Sequence, residues 1–368
     1  MFGTYRLFPA FLVLVTHIGH IEVVAGLAVW GFFMLSGYLI TGVLQTRYGF
    51  TREGLLTFAI SRVLRLYPAY WCVALLSFAV TAWFRTDVNP QLVNTAFAPL
   101  AGFREWVSAA FVISHTNLGI GRVEHALVPP IWAVDVEIVL YLMSCFVVSR
   151  SRRAAKISMI VSLLLFPVLW VAARMLIHAG DIDTAGQLLY SFIPSALLPY
   201  SIGAYLFFAT PERGGLAARI SVPASIGIPI AVATLFFIAL VVSRYSNTFS
   251  YVASLPVLAY LVVVLSGIRN LTFKALDDFL GLMSYPMYLA HYLCAYVAAI
   301  CFHYFSYTPY LIASAAGPTY RYTILGFWVI SCLTLLFSAA LAFWLERPIE
   351  RVRRSVAVRL AAQWGLNR

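Results

Sequence analysis

Arg6 and His17 stand eleven residues apart inside a stretch, residues 6–48, that is apolar enough to cross a bilayer twice. That pairing constrains the fold more than any other feature of the chain. Eleven steps along a helix return to nearly the same face, and at about 1.5 Å per residue they carry His17 roughly 16 Å beyond Arg6. With Arg6 at one edge of a hydrocarbon core about 30 Å thick, His17 lies near its middle. An imidazole at that depth must face protein or a water-filled cavity, and an ionisable residue there is a functional candidate. His20 lies one turn on and is read as a pore-lining or interfacial polar residue.

The rest of the chain agrees with a membrane solvent. Of its 368 residues 62% are hydrophobic and 11% charged, a balance that excludes a soluble globular domain of this size. The pattern predicts an all-α, polytopic membrane helix bundle of about ten spans, near 7–27, 28–46, 66–84, 131–149, 157–178, 187–209, 220–242, 250–268, 280–303 and 323–345. The first apolar segment lacks a cleavage site and runs into the second, so no cleavable signal peptide is expected. The whole chain, 1–368, reads as one integral-membrane domain with a short basic cytoplasmic tail, 346–368.

The net charge of +11 is spread over short loops, which the positive-inside bias explains without a nucleic-acid partner. With the N-terminus inside, Arg85, Arg104, Arg122, Arg174, Arg244 and Arg321 fall on the outer side, against the other 19 of the 25 basic residues on the inner side. The asymmetry predicts N-in and C-in. Two loops are longer than turns. Residues 52–65 of the inner one suggest a short interfacial helix. The outer one, 85–130, suggests a helix around Trp106 that lies on or dips into the outer surface, or an eleventh partial span. Five cysteines fall in apolar segments without zinc-ligand spacing and are read as small core residues, and no metal is expected.

Four further stretches carry polar residues within the spans or at their inner boundary. Arg62-x-x-Arg65 precedes Leu66-Tyr67-Pro68-Ala69-Tyr70-Trp71. The fourth span opens Trp132-Ala133-Val134-Asp135-Val136-Glu137. Asp135 and Glu137 are about 200° apart on a helix and cannot face one site. The ninth span holds Ser284-Tyr285-Pro286-Met287-Tyr288-Leu289-Ala290-His291, with Ser284, Tyr288 and His291 on one face. The tenth ends Glu346-Arg347-Pro348-Ile349-Glu350, read as an inner-boundary stop with ion pairing. Together with Arg6-x10-His17 and the run Phe32-Phe33-Met34-Leu35-Ser36-Gly37-Tyr38-Leu39-Ile40-Thr41, these signatures resemble, in order, those of the bacterial acyltransferase-3 family of integral-membrane acyltransferases. In the fourth signature the family's Ser-Leu pair is replaced by Ala133-Val134, and a second acid by Ile138.

The resemblance implies a stand-alone form without a periplasmic esterase-like domain, in the cytoplasmic (inner) membrane of a bacterium. It implies an O-acyltransferase, chiefly an O-acetyltransferase. The acyl group would move from a cytoplasmic acyl-CoA, acetyl-CoA first among them, to a hydroxyl of a surface or secreted glycan or a glycoside. Acyl-CoA is then a co-substrate, and no bound cofactor is expected. Arg6, Arg62 and Arg65 would dock the phosphates of the donor, because guanidinium forks match phosphate geometry. His17 would act as general base, with Glu137 orienting it as the acid of a hydrolase triad does. Ser284, Tyr288 or His291 would hydrogen-bond a developing oxyanion, and Ser36 and Trp132 would support the site. Direct transfer and a transient acyl-enzyme both remain open. The chief alternative is a transporter or exporter, which would also show ionisable residues at mid-membrane.

Overall fold

The computed structural model describes residues 2–20, 22–113, 125–210, 224–241, 247–268, 273–305, 310–314 and 317–363. Its outer surface is apolar: Trp83, Leu75, Leu164, Leu336 and Ile324 are among many large side chains left exposed. In water such a surface would aggregate, whereas in lipid it is the solvated face. The chain folds into thirteen main α-helices among the described residues. They are α1 Phe2–Gly19, α2 Glu22–Val43, α3 Arg52–Phe84, α4 Phe103–Phe111, α5 Trp132–Met143, α6 Arg152–His178, α7 Ile182–Tyr190, α8 Ile193–Ala209, α9 Ala224–Leu240, α10 Asn247–Gly267, α11 Lys274–Tyr304, α12 Ile324–Leu341 and α13 Arg347–Gln363.

Nine helical stretches of the described chain are long and apolar enough to cross a membrane, and the shorter α9 falls where the seventh span was expected. This is the all-α polytopic bundle that the sequence predicts. Three short π-helical turns, Leu44–Tyr48, Ser144–Val148 and Ala342–Glu346, extend α2, α5 and α12. One element departs from the all-helical expectation: an antiparallel hairpin, β1 Tyr310–Ser314 with β2 Gly317–Arg321, between α11 and α12.

Two boundaries differ from the sequence reading. The stretch 52–65 is no separate interfacial helix. It continues into the third span as one helix of 33 residues, about 50 Å long. Pro68 does not break it. The motif Glu346–Glu350 is not a stop either: the helix runs on through the π-helical turn Ala342–Glu346 into α13, with Pro348 in the turn that follows it. The ion pairing expected there does form: Arg65 pairs with Glu346, and Glu350 with Arg353 and Arg354.

The outer loop dips far into the bundle. α4 has nine residues, about 14 Å, too short to span alone. It lies along α3, with Trp106 against Phe78 at one end and Phe111 near Tyr67 at the other. A helix that ends inside a bilayer must have its last carbonyls satisfied by protein. Tyr70 donates to the Ala109 carbonyl at 2.5 Å, Trp71 to Ala110 at 3.1 Å and Tyr67 to Phe111 at 2.7 Å. The Tyr-Pro-Ala-Tyr-Trp run is thus the cap of a re-entrant helix.

Two close crossings hold the helices that carry the polar residues. α2 packs antiparallel on α8, where Gly37 lies against the backbone of Tyr200 and Gly203 against that of Met34, with no room for a Cβ at either. α1 packs on α11, where Gly3 lies against the Asp277 backbone. There the Asp277 carboxylate accepts from Gly3 N at 3.1 Å, Thr4 N at 2.8 Å and Thr4 Oγ1 at 2.7 Å. The acid of one helix thereby caps the positive end of another.

Candidate active site

α1 and α11 run in the same direction, so their residues climb the bundle together. From the Asp277 cap, fourteen steps lead to His17 on α1 and to His291 on α11. Their rings lie 19° from parallel, with His17 Nδ1 2.9 Å from His291 Nε2. His291 Nδ1 is 2.8 Å from the Tyr288 carbonyl oxygen. A carbonyl only accepts, so His291 carries its hydrogen on Nδ1 and has a lone pair on Nε2. His17 then donates from Nδ1, which leaves its own Nε2 with the free lone pair. The two bonds fix one tautomer in each ring, and the tautomer of His17 is the one a general base needs.

His17 lines a cavity of about 350 Å³ with His20, Asn94, Trp132, Tyr190, Tyr251 and Tyr292. The Tyr292 ring stacks on His17 at 5.1 Å, and Trp132 meets Tyr190 edge to face at 5.0 Å. His20 closes α1 with φ +54° and donates from Nε2 to the Tyr320 carbonyl at 2.8 Å, tying the helix end to the hairpin.

A second cavity, about 290 Å³, opens on the other side of Tyr288. Here the structure gathers Arg6, Arg62, Arg65, Ser36, Glu137 and Ser284, six of the residues the sequence singled out. Arg47 and Arg353 line it as well. Arg62 lies over the rings of Phe58 and Tyr141, at 5.4 and 5.9 Å, and its buried Nε has no hydrogen-bond partner among the described residues. Arg65 is held by Glu346 and lies over Tyr285. Tyr288 and Phe32, ring centroids 6.4 Å apart, both line this cavity, and Tyr288 also leans on His291. The histidine pair and the arginine cluster are therefore separated by one layer of aromatic side chains.

Two expectations about this site change. Glu137 does not meet His17. Its Oε1 accepts from Ser36 Oγ at 2.8 Å and from Tyr141 OH at 2.6 Å, within the basic cavity. The cause is helix rise: His17 shares its cavity with Trp132, and five residues carry Glu137 about 7.5 Å further along α5, past the aromatic layer. His291 occupies the place expected of the carboxylate. Nor do the expected oxyanion donors have hydrogens to spare. Ser284 Oγ donates to the Gly281 carbonyl at 2.8 Å, Tyr288 OH to that of Pro130 at 2.7 Å, and His291 Nδ1 to that of Tyr288.

Asp135 is buried and does not line the basic cavity, as its angular offset from Glu137 requires. Of the cysteines, Cys145 and Cys294 are buried and Cys72 partly so, while Cys301 and Cys332 are exposed rather than in the core. No cluster able to hold a metal ion occurs among the described residues. Sequence reasoning missed Tyr292, Asp277 and Arg353. Tyr292 adjoins His291, and its place beside His17 had no signal beyond that neighbour. Arg353 looked like one more basic residue of the tail.

Comparison with known proteins places the chain. The model of a family described as an acyltransferase domain matches residues 2–347, nearly its whole length. An uncharacterized protein of Haemophilus influenzae is 30% identical over 145 residues, 38% of this chain. The matched stretch spans 56% of that relative's length. No solved structure gives a significant match.

Proposed function

The chain belongs to the acyltransferase-3 family of membrane acyltransferases, and from that premise we propose that it moves an acyl group, acetyl first among them, from a cytoplasmic acyl-CoA to a hydroxyl of a glycan or glycoside. The membrane is then the inner membrane of a bacterium, with the basic cavity open to the cytoplasm and the histidine cavity to the far side. The single observation that carries this reading is the chain Tyr288 carbonyl–His291–His17, which leaves His17 Nε2 unprotonated and facing away from its partner.

In the reaction, the acceptor hydroxyl enters the histidine cavity and the acyl thioester reaches up from the arginine cluster toward Tyr288. The hydroxyl oxygen attacks the thioester carbonyl carbon while its proton passes to His17 Nε2. The imidazolium so formed still donates from Nδ1 to His291, which disperses its charge and keeps the ring in place. As the tetrahedral intermediate collapses, the carbon–sulfur bond breaks and the leaving thiolate takes the proton back from Nε2. An ester and a free thiol result, and the enzyme regains its starting state. The forked donors of Arg6 and Arg62 suit the phosphates of the donor, and the four aromatic rings of the histidine cavity suit the face of a sugar.

The test is a purified His17→Ala variant. It should fold and bind coenzyme A like the wild type, while glycan acylation falls by about 100-fold or more, the lower end for loss of a general base. Near-normal acylation of the glycan, read by mass spectrometry, would remove His17 from the chemistry.

A further inference from the structure

The imidazole of His17 offers its neighbours an edge and a face, and α11 meets both. His291 takes the edge, with its Nε2 2.9 Å from His17 Nδ1. The next residue, Tyr292, takes the face: the ring centroids lie 5.1 Å apart and the planes 24° from parallel. Rings this close and this nearly parallel overlap in an offset stack. Tyr292 also leans on His291, at 4.4 Å between centroids, so the three rings close a triangle. One helix can supply both contacts because adjacent positions of α11 point about 100° apart, and His17 on α1 packs into the angle between them.

Proton transfer to His17 puts a positive charge on a ring far from water, and a buried cation is costly unless something offsets it. No carboxylate lines the histidine cavity among the described residues. Glu137 lies beyond the aromatic layer, bonded to Ser36 and Tyr141. His20 is bound to the Tyr320 carbonyl. His291 accepts one hydrogen bond from the new cation and carries no negative charge itself. The electron-rich face of Tyr292 lies against the ring that becomes charged. A cation within about 6 Å of an aromatic centroid is attracted by the ring quadrupole, most strongly where water is excluded. Tyr292 is only 6% exposed. A neutral imidazole gains much less from the same face, so the contact favours the charged transition state over the resting base.

We propose that the face of Tyr292 stabilises the imidazolium formed on His17 as the acceptor hydroxyl loses its proton. The inference rests on the general-base reading of His17 and adds to it a positioning residue that acts through His17. His291 sets the tautomer of the base and Tyr292 offsets its charge. The two tasks that one carboxylate performs in a hydrolase triad are thereby divided between neighbouring side chains of one helix. The arrangement requires the ring of Tyr292 and not its hydroxyl.

The experiment changes the electrostatics of that face at nearly constant shape. Position 292 of the full chain carries tyrosine, phenylalanine, or 4-fluoro-, 3,5-difluoro- or 3,4,5-trifluorophenylalanine, the last three introduced by amber suppression. In cells that lack the native gene, the rate at which acyl groups appear on surface glycans is read by mass spectrometry, per copy of the protein. Coenzyme A affinity is measured on each purified variant. Tyr292→Phe should acylate within about threefold of the wild type. The rate should then fall with each fluorine, to about 30-fold below phenylalanine in the trifluoro variant, the scale of a desolvated cation–π contact. Coenzyme A affinity should stay within about twofold throughout. A rate that does not respond to fluorination would overturn the proposal while leaving His17 as the base. A Tyr292→Phe variant as slow as the trifluoro one would assign the effect to the hydroxyl and overturn it as well. Coenzyme A affinity that falls in step with the rate would reduce Tyr292 to a packing residue. A wild type that adds no acyl group to any glycan would overturn the functional reading and this inference together.

Discussion

His17 and His291 meet at 2.9 Å across two parallel helices, and they are separated in the chain by 274 positions, the same offset as Gly3 and Asp277. The two contacts are fourteen residues, about 21 Å, apart on each helix. Two heptads of constant offset are what near-parallel helices need to keep one seam in contact. The Asp277 cap at the foot of α1 therefore determines which residue of α11 faces His17 at the top.

That relationship gives His291 a positioning role. His291→Ala should lower turnover by about 100-fold, with coenzyme A affinity within about twofold of wild type, because the variant leaves His17 free to adopt the other tautomer. A kcat close to wild type would show that His17 holds its orientation without the pair. Asp277→Ala should act in the same direction more weakly, since it loosens the register without touching either ring.

Glu137 lies in the basic cavity, bonded to Ser36 and Tyr141. Glu137→Gln should raise or lower the donor KM severalfold and leave the acid limb of the pH–rate profile where it is in the wild type. A displaced acid limb would mean that the carboxylate is coupled to His17 after all.

Arg65 and Arg62 should separate by stability. Arg65→Ala leaves the Glu346 side chain, only 4% exposed, without its ion-pair partner. The loss of one partner of a buried pair costs about 3–5 kcal/mol, and an Arg65→Ala, Glu346→Leu double variant should recover most of it. Arg62→Ala removes no ion pair among the described residues and should weaken coenzyme A binding by about 1–3 kcal/mol with little change in thermal stability. Thermal unfolding and ligand titration of the three variants check both statements. A double variant as unstable as Arg65→Ala would assign the loss to something other than the stranded carboxylate.

The re-entrant α4 should loosen when its cap is removed. Tyr70→Phe deletes the donor to the Ala109 carbonyl and leaves a buried acceptor unsatisfied, at about 1–3 kcal/mol. Faster amide exchange confined to residues 103–111 is the expected result. Exchange indistinguishable from wild type would mean that Trp71 and Tyr67 suffice.

How much of this was legible in the sequence depends on the kind of fact. The membrane class and the approximate spans come from composition and the length of apolar runs, because a bilayer tolerates little else. The residues of the site were legible as residues: His17, Glu137 and His291 are polar groups at a depth where polarity is expensive, and Arg6, Arg62 and Arg65 stand at its inner edge in motifs that resemble those of a family. Their partners were not. Span ends read from hydropathy are uncertain by several residues, and the five-residue rise from Trp132 to Glu137 is enough to move a carboxylate from one cavity to the other. The π-helical turns that end α2, α5 and α12 have no compositional signature distinct from an α-helix. Arg353 was hidden by redundancy, since a basic tail is what the positive-inside rule predicts in any case.

The in-register pair has a consequence for how the protein is made. Gly3 and His17 leave the ribosome 274 residues before Asp277 and His291, their partners on α11. Until α11 is inserted, α1 must wait in the bilayer with its N-terminal amides uncapped and the Nδ1–H of His17 without its acceptor. The histidine pair is thus assembled only once α11 has been inserted, and a nascent chain interrupted before residue 274 has no means of forming it.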